Sequence, residues 1–552
     1  MNISNTYFFV LILVVFNFIS SVYFIRFDIT EEKKYSFSDE TIDLVKNLDD
    51  ILFFKIYLHG NLPSSYKKLS NELKNSLFEL KAYNNFIEFE FIDPTQIEDE
   101  KYQMNLQKDL YNRGIIPIPH RDFEKNKMEE TWIFPGFTAI YKNKEQSSSL
   151  IYPSMTNSFD LTIKESIEKI ELLLIKTIKN LTTKKKNIGL IIENENFNID
   201  KLVSFKDLVS QQYNIELIEK INGQLNTLNN LDCIIINNPK NYMSEKNKFI
   251  IDQYVMKGGK IIWLYSGTNA NMDSLENKNE TIVLPKDNTN LNDMFFNYGV
   301  RVNSNLVKSL QAVQIPIVTH YIKEKPQWTF FPWKFFPILN GNSEHLITNK
   351  TSPIKSQFPS SIDEINNHLN KTVLLKTTNN TKILQTPSIV SLDDLKEKSV
   401  TSDFTNNEQI ISLLVEGKFN SLFENRIPQE IINNKEINFK SKNKYENKMI
   451  FISDGNFIEN QFLKGEVLPI GFDKHTGTQY GNNIFIMNCI DYLLDNDLFI
   501  NVRSKNLELR LLNENKVRSQ KKFWQLFNLI SPIILILTIG SILILIRKYK
   551  ND

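Results

Sequence analysis

The chain has 552 residues and a net charge of +1, from 65 Lys and Arg against 64 Asp and Glu. That length suggests about three to four domains, and the balanced charge gives no electrostatic footprint for nucleic acid. Gly and Pro, at 17 and 18 residues, fall to about half their usual share, which excludes collagen-like chains and long flexible linkers. A 41% hydrophobic and 12% aromatic content excludes global disorder, and two cysteines exclude a disulfide framework and a Cys-based zinc site.

In chain order, the first element is Tyr7 to Phe24, 18 uncharged residues of which thirteen are Phe, Val, Leu or Ile. This reaches the length of a spanning helix. A cleaved signal peptide needs a basic leader and a small-residue cleavage site; MNISNT has neither Lys nor Arg, and no A-x-A follows. Residues 1–26 therefore read as an N-terminal anchor.

Residues 27–182 read as one α/β unit. Ser38 is placed to cap a helix with Asp39 and Glu40 in its first turn. Asp50–Leu58 reads as a strand, Tyr66–Tyr83 as a helix with Leu69, Leu73, Leu77 and Leu80 on one face, and Phe86–Ile92 as an alternating strand. A helix to about Tyr111 follows, then a hairpin of Thr131–Lys142 with Ser147–Tyr152 around Asn143–Lys144, and a closing helix Thr162–Ile178. The order βα-βα-ββ-α is thioredoxin-like. The region holds no cysteine, so the C-x-x-C redox chemistry is absent.

After the joint at Thr182–Asn187, residues 183–512 read as a doubly wound parallel sheet, flavodoxin-like or glutamine-amidotransferase-like. Its strands are Ile188–Ile192, Ile215–Ile218, Asp232–Ile236, Ile261–Tyr265 and, late in the chain, Met449–Ser453. Its helices start near Lys201, run from Ser244 to Met256 up to a Gly258–Gly259 stop, and cover Asn482–Leu494. An irregular insertion occupies about 270–440. Trp328–Phe336 packs six aromatics into nine positions and suits a core plug, a docking surface or a membrane-dipping loop. Leu507–Leu512 fits a strand or the start of a helix. After a juxtamembrane segment, 513–526, Phe527–Ile546 is a second uncharged span with eight Ile, five Leu and one Phe. It is worth about 4–8 kcal/mol of insertion free energy. Trp524, Lys521 and Lys522 precede it, and a basic tail, 547–552, follows. Pro532 and Asn528 sit near one end of that span. Tyr7, Phe24, Trp524, Phe527 and Ile546 mark the boundaries of the two anchors.

Catalytic signatures are missing. There is no G-x-x-x-x-G-K-[ST] and no G-x-G-x-x-G, and the six His are scattered with no H-E-x-x-H. Cys233 lies inside a strand and Cys489 in an apolar helix, both as core residues. Ser266 follows a strand as LYSGT without a nucleophile elbow. The carboxyl ends of such strands form binding crevices. That makes Glu193, Asn237, Ser266, Asp454 and Gly455 a candidate binding rim, against the plainer reading of Asx turns and an Asp-Gly break. No catalytic, cofactor-binding or metal-binding residue emerges.

Blocks along the whole chain then carry a resemblance. RFDITEEKKYSFSDET, IEFEFIDP, IFPGFTAIYK, DQYVMKGGKIIWL, PWKFFPIL, ISDGNFIENQF and YGNNIFIMNCIDYLLDN are similar to the GldG family, the auxiliary or substrate-binding proteins of a gliding-motility ABC transporter. The resemblance implies a non-enzymatic subunit without a cofactor, working with a GldF-like permease and a GldA-like ATPase. It also implies the inner membrane, with both termini cytoplasmic and the body periplasmic. Charge alone leans the other way, because Arg26, Lys33 and Lys34 follow the first span and no Lys or Arg precedes it. The resemblance brings no ligand-contacting residue. A periplasmic scaffold or a periplasmic hydrolase is the alternative.

Overall fold

The computed structural model describes residues 37–122, 129–151, 159–193, 197–275, 278–395, 401–505 and 514–551. It divides into a unit ending at Asn506 and a second from Leu507. The expected first span, Tyr7–Phe24, and the segment Leu507–Leu512 lie outside the described residues.

In the first unit, Ser38 accepts a hydrogen bond from the Thr41 N–H and so caps α1 (Asp39–Lys46), as its position before Asp39 and Glu40 suggests. β1 (Leu52–Ile56), α2 (Ser64–Tyr83), β2 (Ile87–Phe91) and α3 (Glu100–Asn112) follow. The four leucines of α2 expected on one face are all fully buried. Next comes a hairpin the sequence reading missed, β3 (Ile118–Asp122) with β4 (Glu129–Ile133). Its strands are short and mostly polar, so they carry no apolar alternation. Thr131–Ile133 therefore belongs here. The expected hairpin is β5 (Gly136–Tyr141) with β6 (Lys144–Ser149), turning at Lys142–Asn143, where Lys142 has φ +52°. The sheet order is β2-β1-β5-β6, with β1 parallel to β2 and antiparallel to β5. The single closing helix resolves into α4 (Phe159–Glu168) and α5 (Ile170–Thr182), interrupted at Lys169.

The central sheet begins with β7 (Asn187–Ile191), α6 (Val203–Ser210), β8 (Asn214–Ile218), β9 (Cys233–Asn237), α7 (Glu245–Met256, capped by Ser244) and β10 (Lys260–Leu264). β11 (Glu280–Val283), α8 (Asn292–Asn297), β12 (Val300–Val302) and β13 (Asn305–Ser309) lead to a long hairpin, β14 (Ala312–Ile322) and β15 (Lys325–Gly341). Then come β16 (Ile354–Lys355), β17 (Ile362–Glu364), β18 (Asn370–Thr377), β19 (Thr381–Gln385), β20 (Ser388–Ser391), β21 (Ile410–Gly417), α9 (Gln429–Asn433) and β22 (Asn447–Ile452). A small hairpin, β23 (Phe462–Leu463) and β24 (Glu466–Val467), precedes α10 (Asn482–Leu493) and α11 (Asp497–Lys505).

Five strands, β8-β7-β9-β10-β22, are mutually parallel. In chain order they stand second-first-third-fourth-fifth, an order that places a switch point between β7 and β9. The expected all-parallel sheet is corrected, however. β21, β18, β15 and β14 extend it antiparallel beyond β22, and β16 pairs with β15. The expected irregular insertion therefore carries the strands β11 to β21. Several of its strands, such as β12, β16 and β17, are only two or three residues long and carry no periodicity, whereas β22 reads at once from MIFI. Residues of β9 alternate between two cores. Cys233 and Ile235 face α6 and α10, while Ile234 and Ile236 face α7. A third core, around β1, β5 and α2, is built within residues 37–181.

The two described ends of this unit meet. The Asn501 amide of α11 donates to Glu40 Oε1 of α1 at 2.8 Å, and Ile175 of α5 packs with Phe499 and Val502 of α11, with Leu44 against them. Arg503 reaches Asp491 Oδ2 at 2.5 Å and Asn488 Oδ1 at 2.6 Å; Tyr213 also donates to Asp491, which is fully buried.

The second unit carries α12 (Glu514–Asn551). Within it Phe523–Ile544 is long and apolar enough to cross a membrane, and it is the one such helix among the described residues. At its amino end Phe523 stacks on Phe527, and Trp524 meets both rings edge to face. The apolar stretch thus starts four residues before the expected Phe527. Pro532 lies well inside the helix rather than near an end. A spanning helix tolerates such a proline.

Candidate functional site

The parallel strands aim their carboxyl ends at one edge, where binding crevices form in open α/β sheets. Three of the five residues expected there form one closed knot, and Glu193 and Asn237 are placed differently.

Ser266, Asp454 and Gly455 form a closed knot. β10 and β22 run side by side, with Leu264 level with Ile452, so the chain leaves both strands together. The Gly455 N–H donates to Ser266 Oγ at 2.7 Å. A Cβ at Gly455 would fall 2.0 Å from the Asn238 amide, so any larger residue must displace that side chain. Asp454 is buried and accepts from Ser356 Oγ and the Gln357 N–H, each at 2.8 Å, and from the Asn456 N–H at 2.9 Å. Burial pushes its carboxyl up to about 6, against the pull of those donors. All three residues are buried. Their polar atoms hold turns together, which is the plainer of the two sequence readings.

Asn238 and Lys286 belong to the same knot. Asn238 Oδ1 accepts from Lys286 Nζ at 2.5 Å, and that ammonium stands 4.5 Å from the Tyr265 ring centroid. Burial, with Lys240 nearby, lowers the Lys286 pKa to about 7. Nothing in the local pattern around Lys286 marks it, because its partner lies 48 residues away.

Glu193 stands apart, half-buried beyond the end of β7 with φ +44°. Its carboxylate accepts from the Ile221 N–H at 3.0 Å and so ties the β7 and β8 ends together.

Asn237 is the exception to closure. It is the last residue of β9 rather than the first of the turn expected after Ile236. By the two-residue period its side chain continues the Cys233–Ile235 face. It is 2% exposed, and among the described residues neither amide atom has a hydrogen-bond partner. Asn460 Nδ2 is likewise buried and unpartnered, while its Oδ1 accepts from the Ser204 N–H of α6. Next to it in the chain, Glu459 meets Lys201, which also pairs with Asp273 at 2.8 Å.

Cys233 and Cys489 are buried thiols, as their apolar settings suggest, and burial pushes Cys233 up to about 12. The aromatic run divides. Trp333, Phe335 and Phe336 are core, whereas Trp328 and Phe330 stand on the exposed part of β15. No group of three or more His, Cys, Asp or Glu among the described residues is placed to hold a metal ion.

Residues 185–489, just over half of the chain, match the model of a family described as an ABC-type uncharacterized transport system. The chain belongs to this family of transport-system auxiliary proteins. Residues 31–140 match a domain of unknown function, DUF7088. No curated protein matches the chain. Among solved structures, the mmIFT52 N-terminal domain matches at 13% identity over 56% of this chain and 97% of its own, with a TM-score of 0.32. A putative ThuA-like protein from Parabacteroides merdae ATCC 43184 matches at 11% over 55% and 99%, with a TM-score of 0.26. At those scores neither match bears on fold or function here.

Proposed function

We propose that this chain is the membrane-anchored, non-catalytic auxiliary subunit of a gliding-motility ABC transport complex, of the GldG type. The family match over 185–489 carries the reading; it implies other ABC components as partners. The finer assignments are a GldF-like permease, a GldA-like ATPase, an inner-membrane location and a periplasmic body between two anchors. The domain division at about 182, thioredoxin-like before and flavodoxin-like after, is supported by the strand order of each sheet and by their separate cores. In this reading ATP is hydrolysed elsewhere and the body works by contact. The knot at Ser266 and Asp454 favours that over a hydrolase, since both side chains are occupied by backbone donors. Asn237, without a partner among the described residues at the switch point, favours a polar ligand there over a pure scaffold.

The test is purification of the full-length protein in mild detergent from its own membranes. Permease and ATPase subunits are expected to co-purify in fixed proportion. Their absence, together with wild-type gliding in cells lacking the chain, overturns the reading. Ser266→Ala and Asp454→Asn, assayed in cells where each variant accumulates normally, are expected to leave gliding intact.

A further inference from the structure

The opposite end of the central sheet holds a feature the family does not explain. At the amino edge of the parallel strands lies an open cavity of about 330 Å³. Its walls are the residues just before β7, β9 and β10 and the last turns of α7 and α10. Three ammonium groups line it, from Lys186, Lys257 and Lys260. Each is held by a neutral oxygen. Lys186 donates to the Leu494 carbonyl at 2.5 Å, Lys257 to the Ile437 carbonyl at 3.2 Å, and Lys260 to Asn447 Oδ1 at 2.7 Å. Two carboxylates also stand in the wall, and Asp495 acts on Lys260. Asp232 accepts from the Asn187 N–H at 2.7 Å, and Asp495 pairs with Lys448 at 2.8 Å.

Three cations thus share one recess, each with donors to spare. Burial lowers the Lys260 pKa, Asp495 opposes this, and Lys448 and Lys186 lower it further; burial and Lys440 lower that of Lys257. Beside the end of α7 the recess is open to solvent. Gly258 takes φ +99°, and a Cβ there would meet nothing within 4 Å. We propose that this recess binds an anion of phosphate-ester chemistry, with the three ammonium groups as point charges around it. Its volume lies in the range of small-molecule sites. That suits a phosphate carrying an organic group, either a soluble ester or a phospholipid headgroup.

A plainer role is open to the same lysines, since cations stabilise helix carboxyl ends, and the experiment separates the two. Full-length protein in phosphatidylcholine nanodiscs is titrated with inorganic phosphate and glycerol 3-phosphate, against sodium chloride of equal ionic strength. Reductive methylation of individual lysines is followed by peptide mass spectrometry, and the thermal midpoint is recorded. Several-fold protection of Lys257 and Lys260 but not of exposed Lys240, with a rise of a few degrees in midpoint, supports a soluble ester. Protection in phosphatidylglycerol nanodiscs without added phosphate supports a headgroup. Lys257→Gln, at an exposed position that tolerates the change, is expected to abolish protection at Lys260; Lys186→Gln is the second variant. If neither phosphate source protects these lysines beyond chloride, the lysines are helix caps and the proposal falls.

Discussion

At the scale of single residues, the knot at the carboxyl edge makes two predictions. Asp454 has its carboxyl raised from 3.8 to about 6 by burial. The folded state therefore holds that proton more tightly than the unfolded chain. Its contribution favours folding below about pH 4, weakens as pH rises to about 6, and is then constant. The swing is about 3 kcal/mol. Asp454→Asn is expected to remove this component, so that the difference in thermal midpoint between variant and parent changes across pH 4–6 and not across pH 7–8. The variant should also be less stable at pH 7 by ~1–3 kcal/mol, because an amide cannot accept all three donors. Gly455→Ala drives a methyl into Asn238 and breaks the knot. A loss of ~2 kcal/mol or more is expected by chemical unfolding, with Lys286 becoming more reactive to acylation as its cover opens. Sequence reasoning placed these residues at strand ends correctly. It could not see that their polar atoms satisfy one another, because Ser266 and Gly455 are 189 residues apart in the chain.

Among elements, α10 and α11 depend on one buried pair. Arg503→Met leaves Asp491 fully buried without its cation, and a loss of ~3–5 kcal/mol is expected. The double variant Arg503→Met with Asp491→Asn should recover a large part of that, read as a partial return of the thermal midpoint. No recovery would mean that Arg503 acts through packing alone. Elements with strong periodicity were legible before the structure. α2 shows four leucines on one face, and β7, β9, β10 and β22 are continuous apolar runs. Those that depend on distant partners were not. β3 and β4 are polar, and the antiparallel direction of β18 and β21 is set by the neighbouring strand rather than by their own residues. The break at Lys169 has no glycine or proline behind it, and nothing in the structure explains it.

Taken as a molecule, the chain joins an auxiliary-family body to a helix with the length and composition of a membrane span. Two charges placed in that helix, Leu535→Lys with Ile539→Lys, subtract ~5–7 kcal/mol from its insertion, comparable to the whole apolar gain. In spheroplasts, a Lys550→Cys reporter is expected to be shielded from an impermeant maleimide in the parent and labelled in the charged variant. Cys233 and Cys489 are buried and give little background. Labelling of the parent would overturn a cytoplasmic tail. The contact between Glu40 and Asn501 has a mechanical meaning. The described chain starts and finishes the body at one spot, braced by Ile175, Phe499 and Val502. Tension pulling those two ends apart is borne first by that small patch, and the ten-stranded sheet hangs outside the line of force like a lantern from its hook.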